Sequence, residues 1–236
     1  MIDTCANYLM DFCEESISRY VHRIKMCSIP NHIAVIPDGN RRYSNRCFSN
    51  SISGYKQSGE SLQCLLNWSL SKGIRELSIF AWSSENWSRP QEQVDGAMKQ
   101  LDKALDRWLA NTQCQIAYCF VSTSPEKINV SILNKMHELQ LQTATNNDLT
   151  VYLYVSYGFS EDVTQMVAGR EVVPSNMSEP DLLIRTSGEQ RLSNFCMHHL
   201  RYTELMFIQT LFPECDKKTW DACLKDYSNR NRRYGN

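Results

Sequence analysis

Short apolar runs alternate with stretches of helical periodicity along most of this 236-residue chain. His32-Ile33-Ala34-Val35-Ile36, with Pro37, predicts a buried strand over 32–37, because a continuous apolar run of this length fits an interior strand of a parallel sheet. Leu77-Ser78-Ile79-Phe80-Ala81-Trp82 predicts a second strand, residues 115–121 a third and residues 150–157 a fourth. Leu182-Leu183-Ile184 and Met206-Phe207-Ile208 supply two more. Between these runs the apolar positions recur at helical spacing. Residues 2–27 offer Tyr8, Leu9, Phe12, Ile17, Tyr20 and Ile24 for one face, and 55–71 offers Leu62, Leu65, Leu66 and Leu70 before the C-cap candidate Gly73. Ser88, with Pro90 two residues on, predicts the start of a helix to about 111 with the stripe Val94, Met98, Leu101, Leu105, Trp108 and Leu109. Helices are also expected over 124–145, over 160–167 and in the polar C-terminal segment. Strands alternating with helices predict an α/β fold with a central, mostly parallel six-stranded sheet flanked by helices. No linker or repeat divides the chain, so one domain over 1–236 is expected, with an N-terminal helix in 1–29 ahead of a core in 30–236.

Three polar clusters fall directly after predicted strands. The first, Asp38-Gly39-Asn40-Arg41-Arg42, joins one carboxylate, one glycine, one amide and two guanidinium groups. That mixture suits a magnesium-bound diphosphate: Asp38 can hold a hard cation, Gly39 permits close backbone approach, and Arg41 or Arg42 can fork onto phosphate oxygens. The second is Ser83-Ser84-Glu85-Asn86-Trp87-Ser88-Arg89, and the third runs from Arg185 to Asn194. In the third, Arg185 and Arg191 flank a glycine and a serine, as a second anion pocket requires, and Ser193 can add a hydroxyl donor. Glu204, further along, is a candidate second magnesium ligand. Three such clusters at equivalent ends of a parallel sheet predict one shared crevice.

Composition narrows the function. Lys plus Arg total 25 against 26 Asp plus Glu, a near-neutral balance that argues against nucleic-acid binding and makes any anion site a local cluster of arginines. Ten cysteines form no Cys-x-x-Cys pair and no metal-ligand spacing, so reduced thiols are expected, with Cys114 and Cys119 as small core hydrophobes. No apolar run approaches the ~20 residues of a membrane span. A soluble, cytoplasmic protein is predicted, with peripheral contact at a membrane surface as the one addition.

The segments His32–Tyr43, Ala81–Pro90 and Asp181–Phe195, together with Arg232-Arg233-Tyr234-Gly235, resemble the undecaprenyl diphosphate synthase family of cis-prenyltransferases over about residues 30–235. The Pro37 and Arg41-Arg42 variant resembles archaeal members. The resemblance implies magnesium-dependent condensation of isopentenyl diphosphate with an allylic prenyl diphosphate, giving a longer cis-polyprenyl diphosphate. It implies an allylic diphosphate at Asp38, Gly39, Asn40, Arg41 and Arg42, with Tyr55 and Arg89 nearby, and isopentenyl diphosphate at Arg185, Arg191 and Ser193. Asp38 and Glu204 would serve the metal, Ser83 and Asn86 would assist departure of the proton, and Trp82 and Trp87 would flank the prenyl chain. The tail would enter a tunnel walled by apolar helices such as 88–111. A homodimer is implied too, with Arg233 and Gly235 reaching a neighbouring subunit.

The chain departs from the family pattern in four places. Tyr55 stands where a histidine is usual, Ser51 where bacterial members carry arginine, and Ser187 where glycine is usual; the stretch from Asp162 to Asp181 is short. Regular head-to-tail elongation is the expected activity. Irregular, head-to-middle joining of allylic diphosphates is the alternative, and a non-catalytic accessory subunit the third reading.

Overall fold

In the computed structural model, residues 29–47, 52–112 and 115–232 are described. The helix expected over 2–27 lies outside them, as do Ser51, Cys114, Arg233 and Gly235. One six-stranded, all-parallel sheet organises the rest, in the order β3-β4-β2-β1-β5-β6. Its strands are β1 (His32–Ile36), β2 (Glu76–Ser83), β3 (Ile116–Val121), β4 (Leu149–Tyr157), β5 (Leu182–Arg185) and β6 (Glu204–Phe207). All five residues of β1 are buried, as a central parallel strand covered on both faces requires.

Six helices accompany the strands among the described residues: α1 (Asn40–Cys47), α2 (Ile52–Lys72), α3 (Gln91–Leu109), α4 (Val130–Thr143), α5 (Phe159–Val167) and α6 (Lys217–Ser228). Helix α2 ends as predicted at Gly73, with φ +73°; Gly73 N–H donates to the Leu70 carbonyl and Ile74 N–H to the Ser69 carbonyl, the Schellman pattern. Asn129 caps α4 through Ser131 N–H, and Asp216 caps α6 through Thr219 N–H.

The starts of α3 and α4, and the whole of α1, are among the differences from the pattern-based expectation. Helix α3 opens at Gln91 rather than at Ser88, because Ser84–Ser88 forms a 3-10 turn in which the Ser88 hydroxyl donates to the Glu85 carbonyl instead of capping. Helix α4 begins six residues later than expected, since Pro125–Lys127 is a separate 3-10 turn ahead of the Asn129 cap. Helix α1 was absent from the pattern altogether: Asn40-Arg-Arg-Tyr-Ser-Asn-Arg-Cys47 has no apolar stripe, and Ser44 is its one fully buried residue.

The core has two parts, one per sheet face. Leu65, Leu66, Leu77, Leu105, Trp108, Val151, Leu153 and Trp220 belong to the larger, between the sheet and α2, α3, α4 and α6. The smaller holds Ala34, Phe80, Tyr152, Tyr154, Tyr157, Leu183 and Phe195, covered in part by Val173 and Met177 of the 168–181 connection. That connection carries no helix, in line with the shortening seen in the sequence. It is fixed to the sheet instead: the Ser178 carbonyl lies 2.7 Å from His32 Nδ1, and Ser178 N–H donates to Glu76. No helix among the described residues is long and apolar enough to cross a membrane.

Two glycines differ in what they do, and substitution separates them. A Cβ on Gly73 would meet nothing within 4 Å, so Gly73→Ala should cost only the left-handed backbone, about 1 kcal/mol in urea denaturation. A Cβ on Gly54 would stand 2.3 Å from the Asn40 carbonyl and from Ser44 Oγ, so Gly54→Ala should push α2 from α1 and cost clearly more in the same measurement.

Candidate active site

The carboxyl ends of β1, β2 and β5 meet at a crevice of about 620 Å³. After β1 the chain turns through Pro37-Asp38-Gly39 into α1. Gly39 has φ +108°, and a Cβ there would strike Leu211 at 2.8 Å, so this turn admits no side chain. The Asp38 backbone is held from two sides. Its N–H donates to Thr186 Oγ1, while its carbonyl accepts from the Thr186 hydroxyl at 2.7 Å and from Phe212 N–H at 2.9 Å. The amino end of α1 opens into the crevice, where its first N–H groups lack helical partners and favour an anion.

The side chain of Asp38 meets Arg185, the last residue of β5. Arg185 is only 4% exposed; its Nη2 lies 2.8 Å from Asp38 Oδ2, and its Nη1 donates to Ser193 Oγ and to the Arg191 carbonyl. Its Nε has no protein partner. Burial alone would raise the Asp38 pKa. The Arg185 hydrogen bond and charge, the Gly39 N–H and Arg42 outweigh it and hold the carboxyl below the usual range. Asp38 is thus an anion at neutral pH and a poor proton acceptor.

Arg42 and Arg191 are among the arginines that face the crevice more openly. Arg42 donates from Nη1 to the Ser187 carbonyl and from Nη2 to Ser187 Oγ, and it lies 3.6 Å from Asp38 and 3.5 Å from Glu189. Arg191, 60% exposed, pairs with the other oxygen of Glu189. Glu189 therefore bridges the two guanidinium groups, as an anionic ligand would. The loop that carries these residues holds Ser187, Ser193, Asn194 and Cys196 at φ between +39° and +76°, a concentration of left-handed non-glycine residues typical of a functional site.

At the end of β2, Ser83 N–H donates to Asn86 Oδ1 at 3.4 Å, and both residues line the crevice. Arg89 lies over the Trp82 ring at 5.3 Å and donates to the Tyr55 hydroxyl at 3.4 Å. Tyr55 and Trp82 also border a second, apolar chamber of about 120 Å³ between α2, α3 and the sheet, lined by Leu62, Ala97, Met98, Leu101, Ala104 and Trp108 among others. The space under α3 is a small chamber rather than the expected tunnel, and it joins the polar crevice at Pro37, Asn40, Tyr55, Ala81 and Trp82.

The structure brings together most of the residues singled out in the sequence: Asp38, Gly39, Asn40, Arg41, Arg42, Tyr55, Trp82, Ser83, Asn86, Arg89, Arg185, Arg191 and Ser193 all line the crevice. Two depart. Trp87 does not line it; its ring packs edge-on against Trp82, and its Nε1 donates to Ser156 Oγ. Glu204 does not meet Asp38 within one chain. It starts β6 in register with Leu182, whereas Arg185 at the crevice pairs with Phe207, so roughly 10 Å of strand intervenes. Its carboxylate is paired with Arg230 instead. The sequence pattern missed Asn45, Phe80, Gln93 and Glu189, which also line the crevice. For Glu189 a signal existed, as the one acid between Arg185 and Arg191.

A family model described as putative undecaprenyl diphosphate synthase matches residues 36–235. The chain belongs to that prenyltransferase family. It is 33% identical to a ditrans,polycis-undecaprenyl-diphosphate synthase of Xanthomonas axonopodis pv. citri, over 91% of this chain and 92% of the relative. It is 32% identical to an isoprenyl transferase of Neisseria gonorrhoeae, over 88% and 90%. Among solved structures, lavandulyl diphosphate synthase from Lavandula x intermedia, in complex with dimethylallyl diphosphate, superposes with a TM-score of 0.77 at 25% identity, over 89% of this chain and 99% of that one. A probable undecaprenyl diphosphate synthase from Campylobacter jejuni gives 0.71 at 26%, over 88% and 99%.

Asp38→Asn tests the ion pair at the base of the crevice. It leaves the buried Arg185 without its counter-charge, so it should lower stability at pH 7. Because the folded carboxyl titrates below its ordinary 3.8, the wild-type advantage should persist down to about pH 4 and shrink only below it, as read by urea denaturation across pH.

Proposed function

We propose that the protein condenses isopentenyl diphosphate with an allylic prenyl diphosphate and lengthens the prenyl chain by one cis unit per cycle. The observation that carries this reading is the junction at Tyr55 and Trp82, where a crevice rich in guanidinium groups opens onto an apolar chamber, as a ligand with a diphosphate head and a hydrocarbon tail requires. The allylic diphosphate takes the amino end of α1 with Arg41, Arg42 and Arg89, and its tail passes Trp82. Isopentenyl diphosphate takes Arg191, Ser193 and the edge of Arg185. Its double bond attacks C1 of the allylic group, the allylic C–O bond breaks with its electron pair leaving on diphosphate, and a proton is lost from isopentenyl C2.

Neither Ser83 nor Asn86 is a base at neutral pH, and Asp38 is held ionised at low basicity. The proton therefore passes by way of Ser83 and Asn86 to a diphosphate oxygen. Asp38 is the residue that would hold Mg2+. A single carboxylate beside a diphosphate site suits magnesium, which keeps waters and takes substrate oxygens, and no three-residue cage of His, Cys, Asp or Glu exists among the described residues. When bound, the ion neutralises charge on the departing diphosphate. A homodimer, with Arg233 and Gly235 completing a neighbour's site, belongs to the same proposal. Irregular joining of two allylic diphosphates is the second reading, favoured by the superposition on lavandulyl diphosphate synthase.

Incubation with labelled isopentenyl diphosphate, Mg2+ and an allylic primer should give longer prenyl diphosphates, and excess chelator should stop it. Product from dimethylallyl diphosphate alone would favour the irregular reading, and no product in any tube would remove both. Arg191→Ala should raise KM for isopentenyl diphosphate about tenfold or more with a smaller change in kcat, since a charge-assisted contact is lost. An unchanged KM would make Arg191 structural.

A further inference from the structure

The apolar chamber is shallow and has a floor. Helix α3 gives it Ala97, Leu101, Ala104 and Trp108, which share one face of the helix, and the eleven steps from first to last rise roughly 16 Å. The two alanines leave room along it, Ala97 towards the neck and Ala104 one turn above Trp108. Trp108 ends it: its ring stacks on Tyr118 of β3 with centroids 4.8 Å apart and planes 24° apart, and both side chains are buried. The floor is thus the Trp108 ring, backed by Tyr118 where helix meets sheet, not a flexible side chain over solvent. The chamber's volume of about 120 Å³ is smaller than the roughly 150 Å³ of an engineered cavity that takes up one benzene. One five-carbon unit fills such a space, and one or two more need Leu101 or Met98 to turn aside.

We propose that this chain takes a short allylic primer, of one or two isoprene units, and ends growth within a few additions, with Trp108 as the residue that stops the tail. The proposal rests on the prenyl-transfer reading and deepens it. It also separates this chain from relatives named for undecaprenyl diphosphate, whose family it shares. Met98 marks a side route: it borders both the chamber and an open cleft between α3 and residues 126–132. A longer tail would have to displace this unbranched, adaptable side chain or break the Trp108–Tyr118 stack.

The test is product length. Wild-type protein with labelled isopentenyl diphosphate and Mg2+ should use dimethylallyl or geranyl diphosphate with kcat/KM about tenfold or more above that for farnesyl diphosphate, a discrimination that pocket contacts of this size supply. Its products should end at roughly four isoprene units or fewer, the span that a ~16 Å helix face can line. Trp108→Ala should shift the distribution to longer chains, and Ala104→Phe, which narrows the chamber one turn nearer the neck, should shift it to shorter ones. The second variant keeps the test open if the first fails to fold. Efficient extension of farnesyl diphosphate to long chains by the wild type would overturn the proposal and leave prenyl transfer standing, as would an unchanged distribution in Ala104→Phe. Absence of product with every primer would instead overturn the prenyl-transfer reading itself.

Discussion

The contact on which the crevice depends is the ion pair between Asp38 and Arg185. A guanidinium this buried needs a counter-charge, and Asp38 supplies it at 2.8 Å. The same guanidinium holds Ser193 and the Arg191 carbonyl, so one side chain ties the turn after β1 to the loop after β5. Thr186 adds a second tie, donating to and accepting from the Asp38 backbone. The two loops are thereby fixed before any ligand arrives, with Arg42 and Arg191 left at the surface. This division of labour follows from exposure: the enclosed arginine is occupied by protein, while the open ones are shared with Glu189, which a diphosphate can displace.

Parallel topology explains why the polar groups gather at one edge. β1 pairs with both β2 and β5 in parallel, so the residues after all three strands emerge on the same side. The helices on one face then supply the apolar half. The small residues Ala97 and Ala104 of α3 leave a chamber next to Trp82, and the arginine-lined crevice opens above it. Charge and apolar surface sit side by side because β2 ends between them, with Ala81 and Trp82 facing both.

Much of this was legible in the chain. Strand runs such as 32–36 and 182–184 are apolar on both faces, which marks interior parallel strands, and the polar clusters that follow them could then only share an edge. Helix α1 was not legible, because its eight residues carry charge and amide groups in place of an apolar stripe, and its stability comes from Ser44 against Gly54 and from the turn at Gly39. Glu204 and Trp87 show the other limit. Glu204 begins a strand where the crevice residues end theirs, and Trp87, though beside Asn86 in sequence, turns away to hold Ser156. Proximity along the chain carries no information on which end of a strand a residue occupies. Phe80, Gln93 and Asn45 were invisible for the same reason: only the packed arrangement turns them toward the crevice.

The most direct test of the account is a crystal structure of the protein soaked with Mg2+ and a non-hydrolysable allylic thiodiphosphate. The account predicts diphosphate density at the amino end of α1, against Arg41 and Arg42 and beside Asp38, with the hydrocarbon passing Trp82 into the chamber above Trp108. Diphosphate bound away from the β1, β2 and β5 edge, or a tail lying outside the α2–α3 chamber, would contradict it.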